Sequence, residues 1–276
     1  MPLSQREIRI GGTSPGIGQW EVAERYVVRD GMIIPSGRLD HRRYYYPILI
    51  NDLPLHLAEV EDEASALEFV HQWGMLGRSE LYAHDVRGDM DRLLNYPYGD
   101  PLEWVYAHAE TVRMLRNLVV FRDERKLDQI AAYLKEMKKT HRAIPYGAGH
   151  EIRFLPMPIL DAIERHAMHV SADVIQNLLS PNTCYLELAA AANDVGELEY
   201  LFHFNALLPV IYGHVLDAAV GRIQYYQCQH RNCQRWNVLK KNGPGPKPRY
   251  CPPDVEGMES QCSRRERYYR NKKEAS

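Results

Sequence analysis

Four of the chain's five cysteines lie in its last fifth and form two pairs. Four residues separate Cys228 from Cys233, seventeen residues follow, and ten residues separate Cys251 from Cys262. Two pairs joined by a loop of this size suit tetrahedral thiolate coordination, because each pair supplies two ligands and the loop lets the pairs meet. A metal ion would also replace the apolar core that so short a segment lacks. The spacing therefore predicts one Zn²⁺ ion held by these four cysteines.

The spacing leaves alternatives open for these thiols. Four reduced thiols without a metal are one alternative, and His230 in place of one cysteine ligand is another. Disulfides fit the sequence less well, because the chain opens with Met-Pro-Leu-Ser-Gln-Arg and shows no apolar leader segment there. Such a start predicts a reducing, cytoplasmic location, where disulfides are rare.

The cysteine-containing segment is also basic. Residues 228–276 carry 12 Lys and Arg against 5 Asp and Glu, a net charge of +7, which leaves −9 on residues 1–227. Four thiolates and one dication would lower that value only to about +5. A positive field over a small surface attracts phosphates, so the predicted partner is a nucleic acid, with DNA as the first candidate. A merely solvated, charged tail is the alternative.

A short helix is predicted to begin at the last cysteine. Ser263-Arg264-Arg265-Glu266 matches a capping box, in which the serine and glutamate side chains bond backbone N–H groups of the first turn. The predicted nucleic-acid contacts are the basic residues on this helix, which lie beside Tyr268 and Tyr269: Arg264, Arg265, Arg267, Arg270, Lys272 and Lys273.

Helical spacing of apolar residues dominates the middle of the chain. It predicts five helical segments: Glu61 to Gly77, a helix capped by Asp100, Asp123 to Lys139, Ile159 to Leu179, and Glu197 to Val220, which Pro209 should kink or divide. Asp100 precedes Pro101 and stands three residues before Glu103, which is the pattern of a helix start. Gly77 is predicted to end the first of these helices. The middle of the chain therefore predicts a helical bundle.

The N-terminal region is predicted to be extended or irregular. Asp30-Gly31 between two runs of β-branched residues indicates a hairpin, because the turn needs positive φ. The glycines between Gly11 and Gly18 predict a turn, since no buried strand precedes them and no clear helix pattern follows, as a dinucleotide-binding loop would require.

The predicted fold class is mainly α. A small N-terminal β or irregular region is expected at residues 1–57, a helical body at 58–221, and a basic zinc module of treble-clef-like or ribbon-like form at 222–276. The helical pattern stops at Gly221, and the Pro- and Gly-rich run Asn242 to Pro248 predicts an exposed loop inside the module.

Membrane and enzyme functions find little support in the residues. The most apolar stretch, Phe204 to Val220, is interrupted by Pro209 and Asp217, so no membrane partner is predicted. His166 and His169 share a helical face but lack a third ligand, and Cys184 has no legible base beside it. His84-Asp85 and His141 stand alone. The sequence therefore predicts no catalytic residues.

Parts of the chain resemble a known family. Cys228 to Trp236, the run Arg249-Tyr250-Cys251 and Cys262 to Arg270 resemble the C-terminal zinc module of bacterial proteins of the CGNR zinc-finger type, and Ala66 to Gly77 resembles the helical N-terminal part of related bacterial proteins. The name-giving Cys-Gly-Asn-Arg run is absent here, and the spacing between Cys251 and Cys262 is wider.

The resemblance implies a bacterial DNA-binding transcriptional regulator. Its helical body would sense or bind a small-molecule effector or a protein partner. Two other function classes stay open at this point. One is a protein-interaction adaptor whose zinc is purely structural, and the other is a nucleic-acid-processing enzyme with a metal site in the body.

Overall fold

The computed structural model of the protein describes residues 9–10, 19–38, 41–85, 97–140, 143–148, 151–156, 160–183, 186–192, 198–240, 248–253 and 259–274. The α-helices formed within these ranges are α1 (Leu53–Leu57), α2 (Glu63–Trp73), α3 (Arg78–Asp85), α4 (Leu102–Asp123), α5 (Leu127–Thr140), α6 (Leu160–Thr183), α7 (Leu207–Ala219) and α8 (Gln261–Glu274). The described part of the chain is therefore mainly helical, as predicted.

Short antiparallel strands complete the described fold. They are β1 (Arg9–Ile10), β2 (Trp20–Val22), β3 (Arg25–Arg29), β4 (Met32–Ser36), β5 (Arg43–Tyr45), β6 (Asp100–Pro101), β7 (Ala143–Ala148), β8 (Glu151–Pro156), β9 (Glu187–Ala192), β10 (Leu198–His203), β11 (Ile223–Gln227) and β12 (Trp236–Lys240). They pair as β1-β5-β2, β3-β4-β6, β7-β8, β9-β10 and β11-β12. No sheet among the described residues exceeds three strands, so the helices carry the core.

The core is centred on α4, which contacts α1, α5, α6, α7 and β11. Its apolar residues recur every three or four positions, and Val105, Val112 and Leu115 are fully buried. Leu134 of α5 and Leu178 of α6 are buried against the same cluster. The apolar periodicity of the sequence thus marks the faces that meet in the bundle.

The predicted hairpin at Asp30-Gly31 is confirmed. β3 and β4 pair across it, and both turn residues have positive φ, 52° and 75°. The hairpin packs on α2, where the backbone N–H of Tyr26 donates to His71 Nε2 at 3.1 Å. The region before α1 is therefore tied to the helical body by specific hydrogen bonds.

The first predicted helix ends earlier than expected. α2 stops at Trp73, and Gly74 follows with a φ of 86°. A Cβ on Gly74 would lie 2.5 Å from the carbonyl oxygen of Glu21, so a larger residue would collide with backbone. The four residues 74–77, called the connector below, have no regular secondary structure and lead to the start of α3.

Asp100 caps a helix other than the predicted one. Its buried carboxylate accepts hydrogen bonds from the backbone N–H groups of Leu76, Gly77 and Arg78, at the end of the connector and the start of α3. The helix that follows Asp100 is α4, which begins at Leu102. Its N-cap residue is Pro101, and no side chain caps its first turn. The predicted capping role at α4 is therefore wrong, because unpaired N–H groups far away in sequence take up this carboxylate.

Residues 198–219 contain a strand followed by a helix, so the helical segment predicted from Glu197 to Val220, kinked or divided at Pro209, is wrong over its first part. β10 pairs along its whole length with β9, which satisfies the backbone groups that a helix would have satisfied internally. Tyr200 and Phe202 are residue types that favour strands. Pro209 lies in the first turn of α7, where a missing N–H is tolerated.

The other predicted helices are present with somewhat different bounds. α5 begins at Leu127, four residues later than expected, and α6 extends to Thr183. The predicted glycine turn at 11–18 and residues 242–247 of the predicted loop lie outside the described residues. No described helix is both long enough and apolar enough to cross a bilayer.

The hairpin β11-β12 joins the C-terminal segment to the helical body. Ile223 and Tyr225 are buried in the same apolar cluster as α4 and α7, and Trp236 packs against that cluster. The guanidinium of Arg116, on α4, lies 4.3 Å from the centre of the Trp236 ring. The division of the chain at residues 57 and 221 stays a prediction.

Candidate metal centre

The first two cysteines sit in the connection between β11 and β12. Cys228 follows β11, and its backbone N–H donates to the carbonyl of Arg235 at 2.9 Å. Cys233 donates its N–H to the carbonyl of His230 at 3.0 Å, which closes a tight turn. Gln234 then adopts a φ of 49° and turns the chain back into β12. The turn therefore presents both thiols on one side of the hairpin end.

Cys251 is brought beside this turn by hydrogen bonds from β11 and its extension. Gln229 donates its backbone N–H to the carbonyl of Arg249 at 2.8 Å. The Tyr226 hydroxyl donates to the carbonyl of Tyr250 at 3.3 Å. These two bonds fix the segment just before Cys251 along the first cysteine turn.

Cys262 lies in the first turn of α8, as the sequence predicted for the last ligand. The cap of this helix is nevertheless Ser260, whose hydroxyl accepts from the backbone N–H of Ser263 at 3.2 Å. Ser263 instead donates its hydroxyl to Glu259 Oε1 at 2.6 Å. The predicted capping box at Ser263 is wrong, because the helix begins three residues earlier than that box requires.

The four thiols form one compact group. Their Sγ atoms all lie within 4.8 Å of one another, and Cys233 Sγ is 3.5 Å from Cys251 Sγ. A disulfide needs a sulfur separation of about 2.05 Å, and all four cysteines are free. The predicted ligand set is therefore assembled, and its geometry is that of a group able to hold a metal ion.

Electrostatics in this group disfavour free thiolates without a cation. Burial, reinforced by Cys233 and Cys228, raises the pKa of Cys251 to about 12. Burial likewise raises the pKa of Cys262, while a hydrogen bond from the Arg235 backbone lowers that of Cys233. Neighbouring thiolates repel, so a bound cation would stabilise the ionised set.

His230 is not part of the ligand group. Among the described residues, the candidate ligand atoms that cluster are those of the four cysteines. The Nδ1 atom of His230 accepts from the backbone N–H of Asn232 at 3.4 Å. The alternative in which His230 replaces a cysteine is not supported by this arrangement.

The arginines of the predicted basic face of α8 whose side chains the structure describes differ in their availability. Arg264 donates to the carbonyl of Glu259 at 3.1 Å, and Arg267 forms an ion pair with the Glu259 carboxylate at 2.7 Å. Arg265 is exposed and has no acidic partner among the described residues. Arg270, Lys272 and Lys273 lie on the backbone of α8, but their side chains are outside the described part of the structure.

Two tyrosines lie beside these arginines. Tyr268 is 64% exposed and Tyr269 is 39% exposed, with ring centres 5.9 Å apart. The Arg231 guanidinium lies 4.6 Å from the Tyr269 ring centre and 3.4 Å from Glu266. Arg231 therefore connects the first cysteine turn to α8 through contacts that do not involve the cysteine sulfur atoms.

Sequence reasoning missed three residues that position this centre. Ser260 caps α8 and Glu259 holds Arg267, although a serine three residues before Ser263 was a visible cap signal. Arg116 is buried with its pKa lowered to about 10 by burial, and it stacks on Trp236. No local signal marks Arg116, because on a helix an arginine is expected to face water.

The residues considered for an enzyme site do not form a second metal group. His166 and His169 are both exposed on α6, and within the described residues only the cysteine group gathers enough ligand atoms to hold a metal. The side chains of His84, Asp85, His141 and Cys184 lie outside the described part of the chain.

Comparison with protein-family models, with curated proteins and with solved structures found no match to this chain. The likeness to CGNR-type zinc-finger proteins therefore stays an expectation from the sequence, and the cysteine group with its basic helix carries the functional argument.

Proposed function

We propose that this protein is a zinc-dependent nucleic-acid-binding protein, acting as a DNA-binding transcriptional regulator. Zn²⁺ would be held by Cys228, Cys233, Cys251 and Cys262. The ion would cross-link the first cysteine turn, the segment before Cys251 and the start of α8, and it would do no chemistry of its own.

Zinc is the metal that best suits four thiolates. Zn–S bonds of about 2.3 Å in a tetrahedron put sulfur atoms about 3.8 Å apart. The sulfur separations of at most 4.8 Å, with one of 3.5 Å, are consistent with such a site after small adjustments. A closed shell of four protein ligands is typical of structural sites, whereas catalytic sites keep an open position.

We also propose a treble-clef-like form for the module. Its first two ligands lie in a hairpin connection and its last ligand lies in the first turn of a helix. That order supports a treble clef over a ribbon, because a ribbon would take its ligands from hairpin connections alone.

The observation that carries the nucleic-acid proposal is the outward face of α8. The helix starts at the cysteine group and presents exposed Arg264, Arg265 and Arg267 beside exposed Tyr268. A metal at Cys262 would fix the direction of this helix, so its charges would form a defined surface rather than a flexible tail. Guanidinium groups beside aromatic rings suit phosphate and base contacts.

The test is a binding titration against duplex DNA, single-stranded DNA and RNA over a range of salt. Each lost phosphate contact should lower the log–log salt slope by about 0.9 on duplex DNA. Arg264→Ala with Arg265→Ala should therefore lower the slope by roughly two and weaken binding at every salt concentration. Metal content of the double variant should equal that of the parent chain.

Arg29→Ala is the matched control, because Arg29 is an exposed arginine on β3 in the body. It removes one positive charge without touching α8, so the salt slope should stay constant. Absence of nucleic-acid binding by the intact protein at low salt would contradict the proposal.

A protein-interaction adaptor is the second candidate, and one groove favours it. Between α4, α6 and α7 lies a cavity of about 500 Å³ bordered by Leu216 and Val220, which are 38% and 60% exposed. Exposed apolar side chains at a groove are typical of binding surfaces for apolar ligands or partner segments. Under this alternative, Val220→Glu would abolish partner or effector binding, and Arg265→Ala would leave it unchanged.

A further inference from the structure

A small cleft lies between the first cysteine turn and the outer face of α8. Its volume is about 300 Å³, at the low end for small-ligand sites. None of the residues that line it is acidic, and two are arginines: His230, Asn232, Arg264, Arg265, Tyr268 and Tyr269. The cleft therefore combines positive charge, aromatic rings and polar groups in a space large enough for one compact anionic ligand.

His230 contributes a buried polar group to the wall of this cleft. The residue is only 2% exposed, and its Nε2 atom has no hydrogen-bond partner among the described residues. Nδ1 accepts from the backbone N–H of Asn232, so a singly protonated ring carries its hydrogen on Nε2. A buried N–H without an acceptor is unfavourable, and an oxygen or ring nitrogen of a ligand in the cleft would satisfy it.

The two tyrosines of the cleft are not equivalent. The ring of Tyr269 is approached by the Arg231 guanidinium at 4.6 Å, so that ring already has a cationic neighbour. Tyr268 is 64% exposed and meets Tyr269 at an interplanar angle of 68°. An aromatic ring so open on a strongly charged helix does not serve the core, and it leaves a flat surface for stacking.

Stacking on Tyr268 requires a base that has left its neighbours. In a duplex the base faces are covered by adjacent pairs, and only groove edges and phosphates are accessible. Proteins that hold single strands combine a positive groove with aromatic rings on which bases stack. The composition of the cleft matches that second arrangement.

We propose that the cleft binds one unpaired nucleotide of a nucleic acid, so that the protein prefers ends or single-stranded segments to continuous duplex. The base stacks on Tyr268, the adjoining phosphate lies between Arg264 and Arg265, and His230 donates to an acceptor on the nucleotide. This inference rests on the proposed nucleic-acid-binding function and adds the form of nucleic acid that is bound.

The experiment compares two fluorescently labelled DNA probes in anisotropy titrations with the full chain. One is a blunt duplex, and the other is the same duplex with short single-stranded overhangs. The intact protein should bind the overhang probe at least about fivefold more tightly, which corresponds to one stacked base. Tyr268→Ala should remove this difference, and Tyr268→Phe should retain it because the ring remains.

Tyr98→Ala is the control, because Tyr98 is 55% exposed and does not line the cleft. It should leave the preference intact. Equal affinity of the intact protein for both probes, with binding still weakened by Arg265→Ala, would overturn the unpaired-nucleotide inference and leave the proposed function standing. Failure to bind either probe at low salt would overturn both.

Discussion

The helical body and the cysteine module reach an ordered structure by different means. In the body, large apolar side chains such as Leu115, Leu134 and Tyr212 are completely buried. From Cys228 onward, the buried residues of the described chain are Cys228, His230, Asn237 and Ser260, and none of these is a large apolar side chain. Burial of apolar area stabilises the body, whereas the module has hydrogen bonds and a cysteine group that would stabilise it if it held a metal ion.

This difference indicates which kind of change should destabilise each region. We expect the body to remain folded without a metal, because its apolar faces close on one another. The module has no comparable reserve, and its last helix is too polar to pack by itself. The hairpin β11-β12 belongs to both, since Tyr225 lies in the body core and Cys228 begins the cysteine group.

The largest expected effect comes from removing one thiol. Cys251→Ser should lower the metal content from about one ion per chain to none, as measured by elemental analysis. Metal binding contributes on the order of 10 kcal/mol to folding in small zinc modules, so α8 should lose its fixed position. The body should keep a cooperative melting transition in circular dichroism.

Cys184→Ser is the matched control for this change, because Cys184 is the one cysteine that does not belong to the C-terminal sequence pattern. It should leave metal content unaltered. If Cys251→Ser abolished cooperative melting of the whole chain, the helical body and the cysteine module would fold as a single unit, and the body would not be stable without the module.

The second prediction tests whether burial of apolar area is the only factor that determines the stability of the helical body. Asp100 is a buried carboxyl and Glu80 is a half-buried one near it, and burial raises the pKa of Glu80 to about 7 and that of Asp100 to about 6. Because the folded state holds these protons more tightly than the unfolded chain, the contribution of these two groups to stability is greatest below their unfolded pKa values of about 4 and declines as pH rises through the folded pKa values.

Glu80→Gln should remove the part of this decline that belongs to Glu80. Relative to the parent chain, the variant should gain on the order of 2 kcal/mol in unfolding free energy at about pH 8. The gain should shrink towards zero below about pH 3.5, where Glu80 is protonated in both the folded and the unfolded state. Urea titrations at both pH values provide the measurement, with the exposed Glu68→Gln as control. An equal gain at both pH values would contradict the ionisation argument.

The smallest expected effect concerns the energetic coupling between the helical body and the cysteine module. Arg116 stacks on Trp236 across the boundary between α4 and β12. A double-mutant cycle with Arg116→Met and Trp236→Leu should give a coupling energy of about 0.5–2 kcal/mol in the unfolding of the body. Chelation of the metal should reduce that coupling if Trp236 is held by the module.

Arg113→Met with Trp236→Leu is the control cycle. Arg113 also lies on α4 but donates to the carbonyls of Ala58 and Val60. Its cycle should show no coupling. A coupling energy near zero for Arg116 as well would mean that the hairpin packs on the body by apolar contact alone.

The features that the sequence predicts well are those with local causes. The hairpin at Asp30-Gly31 follows from two adjacent residues that tolerate positive φ. The buried faces of α4, α5 and α6 follow from apolar periodicity within each helix. The cysteine group follows from spacing, because thiols at such intervals seldom converge without a shared metal.

The features that escaped prediction depend on partners outside the segment itself. Asp100 carries a capping pattern for the helix after it, but its carboxylate accepts from N–H groups at Leu76 to Arg78, more than 20 residues away in sequence. Leu198–His203 has apolar spacing compatible with a helix, yet pairing with the preceding segment Glu187–Ala192 favours a strand. The residues of each segment alone do not specify these partners, so pairing overrides the local propensity.

The connector at residues 74–77 has a consequence for the order in which the chain folds. The carbonyl of Met75 accepts from the Trp20 indole N–H, and the carbonyl of Leu76 accepts from the backbone N–H of Leu208. The Asp100 carboxylate accepts from the backbone N–H groups of Leu76 and Gly77. The connector is therefore hydrogen-bonded to residues that lie before it and to residues that lie after it in the sequence. During synthesis at about 5–20 residues per second, Leu76 would leave the ribosome roughly ten seconds before Leu208 exists. The contacts of the connector therefore cannot all form while the first half of the body emerges, and docking of α7 against the connector should be a late step of folding during synthesis.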